Sequence, residues 1–343
     1  MCAERFRKWG LGLLLLFVLP YALYVAIYER VSWRPRTFTA GGPVLELAFS
    51  PDGHTLAVGR WRYVPLSKTK TEESWNNCGA LEMWNVRSHI PSLTLVWPDD
   101  EPVVRLAFSR KTNQLIYVNR TGDVKSFDSS TGKCRRIAHA VVDEYGGFDL
   151  SPDSKEFVVS SRWGIRFYDA QTGQLKRTLD KVRTGSVASL AYSPTGKVLY
   201  ITTSDKNSDV TILDTQTGKP LGSILAGGDT LEMGDFSPDG KMLALYNGYA
   251  VLLYDIPSCK VAKKLYQGKS AIRVMVWSPD NTMLAVGDVD GRLNLWDMSS
   301  GKIARSLQGN RNYPIESIAF SPDSRIMASA ASYPNTITLR RVE

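Results

Sequence analysis

A short turn-forming theme recurs seven times from position 49 onward, and it constrains the chain more than any other feature. It reads Phe49-Ser50-Pro51-Asp52-Gly53, Phe108-Ser109-Arg110-Lys111-Thr112, Leu150-Ser151-Pro152-Asp153-Ser154 and Tyr192-Ser193-Pro194-Thr195-Gly196. It continues as Phe236-Ser237-Pro238-Asp239-Gly240, Trp277-Ser278-Pro279-Asp280-Asn281 and Phe320-Ser321-Pro322-Asp323-Ser324. Taken from the first residue of each copy, the spacings are 59, 42, 42, 44, 41 and 43. A steady period near 42 residues predicts a β-propeller with one four-stranded blade per repeat.

The chemistry of the theme is that of a tight turn. Serine offers a hydroxyl, proline presets φ, and glycine tolerates the left-handed conformation at the close. An apolar run precedes each turn, as in residues 44–49, and another follows it, as in residues 55–58 and 283–286. A third run ends in an apolar residue and aspartate: Phe127-Asp128, Tyr168-Asp169, Leu213-Asp214, Tyr254-Asp255 and Trp296-Asp297. A second turn then appears, as in Thr131-Gly132-Lys133, Thr172-Gly173-Gln174, Thr217-Gly218-Lys219 and Ser300-Gly301-Lys302, and a fourth run follows. The fold class is therefore all-β: a seven-bladed propeller of four-stranded antiparallel blades, strands a to d in order from the inside outward.

These residues resemble the WD-repeat β-propeller family over about residues 34–343, and the fullest copy is 285–297. The resemblance implies an interaction platform. It assigns Asp290 as the tight-turn aspartate and Trp296 as the strand-c tryptophan of a His-Ser/Thr-Trp-Asp network. Gly268-Lys269 stands where the family has Gly-His, so the full network cannot form. The fourth repeat, 199–215, looks more like YVTN-type propellers.

The seventh repeat reaches only strand c at residues 337–343, and residues 36–40 are placed to supply its strand d, which removes an open sheet edge. Strand order then sets the rims. The Ser-Pro-Asp and Thr-Gly-Lys turns share one rim, termed the bottom, and the b–c and d–a loops share the top.

Residues 9–28 carry no charge, and 20 helical residues span about 30 Å, the thickness of a bilayer core. Trp9, Tyr24, Tyr28 and Trp33 sit where interfacial aromatics belong. A domain of 1–30, a short basic segment and one transmembrane anchor, is expected ahead of the propeller of 31–343, in preference to a cleaved signal peptide. Arg5, Arg7 and Lys8 precede the span and Arg30, Arg34 and Arg36 follow it, three against three, and the N-terminal amine and Glu29 tip the positive-inside balance slightly toward an exported, single-pass arrangement. About half of the net charge of +8 lies in these flanks. The remainder argues against a nucleic-acid partner. Cys2, Cys78, Cys134 and Cys259 form no close pair in sequence and read as free thiols.

The first spacing exceeds the others by about 17 residues, which fit between strands b and c of blade one as a loop on the top rim. That loop brings Arg60, Trp61, Arg62, Tyr63 and Trp75, and other b–c loops bring Arg162, Trp163, Tyr246, Tyr249 and Tyr333. Arg, Trp and Tyr are enriched in binding hot spots, and long loops are often functional. These ten residues are the candidate surface for an unidentified protein partner of a monomeric propeller.

His54, His89 and His139 are not placed to converge on a metal, and no catalytic motif, cofactor or metal site is expected. Asp149 and Asp235 replace the alanines found at Ala48, Ala107, Ala191 and Ala319 on the innermost strand, where structural pairing with a cation or Arg is the expected role. The expected function is a membrane-anchored interaction platform and not an enzyme. The alternatives are an extracytoplasmic lactonase- or quinoprotein-type propeller enzyme and a structural assembly factor.

Overall fold

The Ser-Pro-Asp turns close because each serine hydroxyl works twice. Ser50 Oγ donates to Asp52 Oδ1 and accepts from the amide of Thr55 at 2.9 Å, while Asp52 accepts from the amide of His54 at 2.9 Å. The Ser–Asp bond recurs at Ser151–Asp153, Ser237–Asp239, Ser278–Asp280 and Ser321–Asp323. At the second turn the aspartate ending strand c caps the chain: Asp169 Oδ1 accepts from the amides of Gln171 and Thr172, and Asp214 Oδ1 from Gln216 and Thr217. Local hydrogen bonds thus fix where each strand ends.

The structure is a computed structural model, and it describes residues 34–342 except 66–74, 88–89, 113, 141–146, 162–163, 180–186, 204–209, 225–230, 232, 267, 310–312 and 332. Among the described residues, 28 strands form seven four-stranded antiparallel sheets. Blade one comprises β2 (Val44–Phe49), β3 (Thr55–Pro65), β4 (Trp75–Asn85) and β5 (Ser92–Asp99). Blades two to six follow the same order, from β6 (Val103–Phe108) to β25 (Lys302–Gln308). In blade seven, β26 (Ile315–Phe320), β27 (Ile326–Ala331) and β28 (Thr336–Arg341) are completed by β1 (Arg36–Thr39) on the outside.

The closing strand is held by more than its ladder. The Ala40 amide donates to Asn335 O at 2.9 Å, and Thr37 and Thr338 hydroxyls meet at 3.2 Å. Phe38 packs on Trp84 of blade one with ring centroids 4.4 Å apart. On the inner side the Leu47 amide donates to Ser317 Oγ at 3.0 Å, joining blades one and seven.

Apolar cores lie between neighbouring blades. Tyr200 and Ile212 of blade four pack with Phe236 and Leu243 of blade five, and Ala285 and Leu295 of blade six with Ile318 and Phe320 of blade seven. The faces of each sheet are thereby buried in series around the ring, which is why the strands read as apolar with little alternation. Cys78, Cys134 and Cys259 are free.

One expectation meets a different outcome here. In blade one, residues 60–65 and 75–79, expected in the inserted loop, are strand. Its b and c strands each run 11 residues and stay paired from Thr55↔Asn85 to Pro65↔Trp75, so Arg60, Trp61, Arg62, Tyr63 and Trp75 belong to a long hairpin. Five residues beyond Arg60 at about 3.3 Å each lift that hairpin roughly 16 Å past the ends of the other b strands. The expected anchor at residues 9–28 lies outside the described residues; among those described, no helix is long and apolar enough to cross a membrane.

Candidate functional site

The root of the blade-one hairpin is an ion pair. Arg60 of β3 and Glu82 of β4 meet diagonally, Arg60 lying opposite Ala80 and Glu82 opposite Val58, and their side chains are only 6% and 2% exposed. Glu82 also accepts from the Gly41 amide at 3.0 Å and from Trp84 Nε1 at 2.9 Å, while Arg60 Nη1 donates to Trp61 O at 3.1 Å. Gly41 passes so closely that a Cβ there would lie 2.7 Å from Arg60 Nη2. Arg60 is therefore an interior residue that fixes the passage between β1 and β2, not a dispensable surface cation.

Trp61, one residue further out, is partly exposed. The Arg120 guanidinium of blade two stands 5.4 Å from its ring centroid and is itself oriented by Glu101, 3.3 Å from Nε. Arg62, Tyr63 and Trp75 lie opposite Cys78, Asn77 and Pro65 in the hairpin ladder. Arg162 and Trp163 lie outside the described residues. Tyr246 is buried and its hydroxyl donates to Arg273 O at 3.2 Å, so it caps the blade from within, contrary to its expected place on the surface. Tyr249 and Tyr333 are 58% and 59% exposed, and Tyr333 leans on Tyr313 with centroids 5.0 Å apart. Among the described residues, the accessible aromatics of the top rim are thus Trp61, Tyr249 and the Tyr313–Tyr333 pair.

A central cavity of about 810 Å³ is lined by Glu46, Arg105, Arg110, Asp149 and Asp235 together with aromatic and proline residues of the inner strands and bottom turns. Asp149 sits on β10 (Phe148–Leu150) and Asp235 on β18 (Gly234–Phe236). Asp149 Oδ2 accepts from the Tyr192 amide of blade four at 2.8 Å, and its Oδ1 from Leu150 at 2.7 Å. Asp235 Oδ2 accepts from the Trp277 amide of blade six at 3.0 Å. Each carboxylate thus stitches its blade to the next through a backbone amide; the expected partner was a cation or Arg.

Burial pushes these acids up. Asp149 rises to about 6 and Asp235 to about 7, against the pull of their amide donors. Glu46 of β2 rises to about 7, again through burial, partly offset by Arg105 at 3.8 Å. Glu46 does not stand out in the sequence, because a polar residue inside an apolar strand is ordinarily assigned to a solvent face. Its signal is the match in repeat position with Arg105, each three residues before the Phe that opens the turn theme. His139 is exposed and bonds Asp123 at 2.7 Å. Among the described residues no three His, Cys, Asp or Glu side chains are grouped to hold a metal ion.

The family model described as the anaphase-promoting complex subunit 4 WD40 domain matches residues 262–321, from the outer strand of blade five to the first turn of blade seven. The WD repeat-containing protein VIP3 of Arabidopsis thaliana is 29% identical over 172 residues, 44% of this chain and 53% of that protein. The chain is thus a seven-bladed β-propeller similar to WD-repeat proteins. Autophagy-related protein 16 of Arabidopsis thaliana is 22% identical over 259 residues, 73% of this chain and 50% of that protein. Actin-interacting protein 1 of Drosophila melanogaster is 29% identical over 126 residues, 36% of this chain and 19% of that protein. The chain thus spans about half the length of the first two relatives and less of the third.

In blade six the chain departs from the polar network of WD-repeat proteins. The Trp296 indole N–H is buried and has no hydrogen-bond partner, in keeping with Gly268-Lys269 in place of Gly-His. The role expected of Asp290 falls to Asp288, whose Oδ1 accepts from the amides of Asp290 and Arg292 at 3.0 and 2.8 Å. Asp288 is buried at the end of strand b, where its carboxylate meets the turn amides; Asp290 is exposed at the tip.

Proposed function

We propose that this propeller is an interaction platform that holds a protein partner on its top rim, tethered to a membrane by residues 9–28. The observation that carries the binding face is the set of accessible aromatics on that rim: Trp61 braced by Arg120, Tyr249, and Tyr333 against Tyr313. Aromatic side chains offer large contact area at low conformational cost, the property that makes them binding anchors. Binding is favoured over catalysis because two of the three acids lining the central cavity, Asp149 and Asp235, are engaged by backbone amides of the neighbouring blade, and the third, Glu46, is paired with Arg105.

The tether rests on the uncharged run of residues 9–28, and export of the propeller rests on the positive-inside rule. A photo-crosslinking amino acid at position 249 or 333 should capture a discrete partner, whereas one at position 131 or 217 on the bottom rim should not. The reverse pattern contradicts the assignment of the face. Protease added outside intact cells or spheroplasts should digest the propeller, and protection until the membrane is opened would reverse the orientation.

A further inference from the structure

Charge is distributed unevenly around the propeller wall. The outer strands β9 (Cys134–His139), β13 (Leu175–Leu179), β17 (Pro220–Ile224), β21 (Lys260–Tyr266) and β25 (Lys302–Gln308) contain no aspartate or glutamate. The asymmetry is greatest on blades five and six. No acid occurs between Asp255 and Asp280 or between Asp297 and Glu316, while Lys260, Lys263, Lys264, Lys302 and Arg305 are all exposed there. The nearest acids are already engaged: Asp255 Oδ1 accepts from the amide and hydroxyl of Ser258, and Asp297 Oδ1 from Ser299 Oγ and the Ser300 amide. Among the described residues no ion pair involves Lys260, Lys263 or Lys302.

The two blades present one continuous patch. Lys263 reaches from blade five over the turn of blade six, so closely that a Cβ on Gly301 would lie 1.7 Å from its Nζ. Exposed aliphatic side chains sit among the cations, Val261 at 53% and Ile303 at 41%. β21 is also the last strand of its sheet, paired only with β20 (Ala250–Asp255), so its outer edge offers unpaired backbone donors and acceptors.

We propose that the outer edge of β21, with the adjoining cations of blade six, binds an extended acidic polypeptide segment by strand addition. Like charge along the edge repels a second copy of the same strand, and the same charge attracts a segment rich in glutamate or aspartate. Main-chain bonds to the edge would give affinity, and alternating contacts with the lysines and with Val261 would give preference for acidic and aliphatic side chains in turn. A polyanion without a polypeptide backbone, such as a lipid surface or a nucleic acid, would use the charge but not the edge. The proposal is independent of the top-rim reading.

The test is fluorescence anisotropy of the full chain with a labelled peptide of alternating glutamate and valine. Binding should weaken by at least about tenfold in Lys260→Glu/Lys263→Glu/Lys264→Glu, and fall by a similar factor on raising salt. The corresponding Lys→Gln triple variant should show a smaller loss in the same direction. A peptide of the same sequence with alternate amides N-methylated should also bind at least about tenfold less tightly, since it cannot complete a ladder. Tyr249→Ala/Tyr333→Ala should bind the peptide as the unmodified chain does. Equal binding by the lysine variants overturns the site. Equal binding of the N-methylated peptide, or binding of phosphatidylserine vesicles or an oligonucleotide by these lysines without binding of the peptide, overturns strand addition.

Discussion

Arg60 and Glu82 form a buried ion pair between the second and third strands of blade one, and through Glu82 the pair holds the Gly41 amide and the Trp84 indole. The pair therefore joins the exit of the closing strand to the base of the hairpin. Removing one member of a buried pair strands the other and typically costs about 3–5 kcal/mol. Arg60→Met and Glu82→Ala should each lower stability in urea denaturation by an amount of that order. The double variant should lose less than the sum of the two. Additive losses would show that the two residues act separately.

The closing strand should be indispensable for cooperativity. Deleting residues 32–40 removes β1, its bonds to Asn335 and Thr338, and the Phe38–Trp84 contact. The deletion variant should melt at a clearly lower temperature or without cooperativity in circular dichroism, with Phe38→Ala intermediate. An unchanged melting curve would contradict closure by this strand.

Stability should have its maximum in mildly acidic solution. Glu46, Asp149 and Asp235 hold protons up to about 7, about 6 and about 7, against 4.5, 3.8 and 3.8 as ordinary values. Between roughly pH 4 and 7 the folded protein binds more protons than the unfolded chain, so stability falls as pH rises through that window. Turn aspartates act oppositely below it. Asp297 is held down to about 2 by Ser299 and Ser300, and Asp52 is lowered by its bonds to Ser50 and His54, so their contribution is lost as pH falls below about 4. A Tm series over pH should decline from about pH 5 to pH 7, and Asp149→Asn/Asp235→Asn should flatten that decline. A Tm that climbs steadily to neutral pH would contradict the account.

Trp296 offers a check on the missing network. Its indole N–H has no partner, so Trp296→Phe removes ring volume but no hydrogen bond. The loss in denaturant unfolding should stay within about 1.5 kcal/mol, the range of modest core changes. A much larger loss would mean that the indole is bonded.

The seven blades were legible because their turn chemistry is local: Ser50 and Asp52, or Asp169 and Thr172, meet within a few residues. The hairpin of blade one was not, because Arg62, Asn76 and Asn77 break the apolar pattern by which strands are recognised, although the ladder continues through them. The Asp149 and Asp235 positions stood out as acids among alanines. Their partners Tyr192 and Trp277 are more than forty residues away, and only the ring brings them together. Arg60 and Tyr246 were read as surface residues from their residue types. Glu82 and the Arg273 carbonyl, which draw them inward, follow from strand register and blade contact rather than from composition.

The central claim, binding at the top rim, is tested most directly by measuring affinity for the crosslinked partner in rim variants. Tyr249→Ala/Tyr333→Ala and Trp61→Ala should each weaken binding by about tenfold or more, the scale of lost hot-spot side chains. The exposed tyrosine changes should leave Tm nearly unchanged, since surface substitutions usually stay within about 0.5 kcal/mol. Lys133→Glu/Lys219→Glu on the bottom rim should bind as the unmodified chain does. Loss of binding in the bottom-rim variant, with the top-rim variants unaffected, would contradict the account.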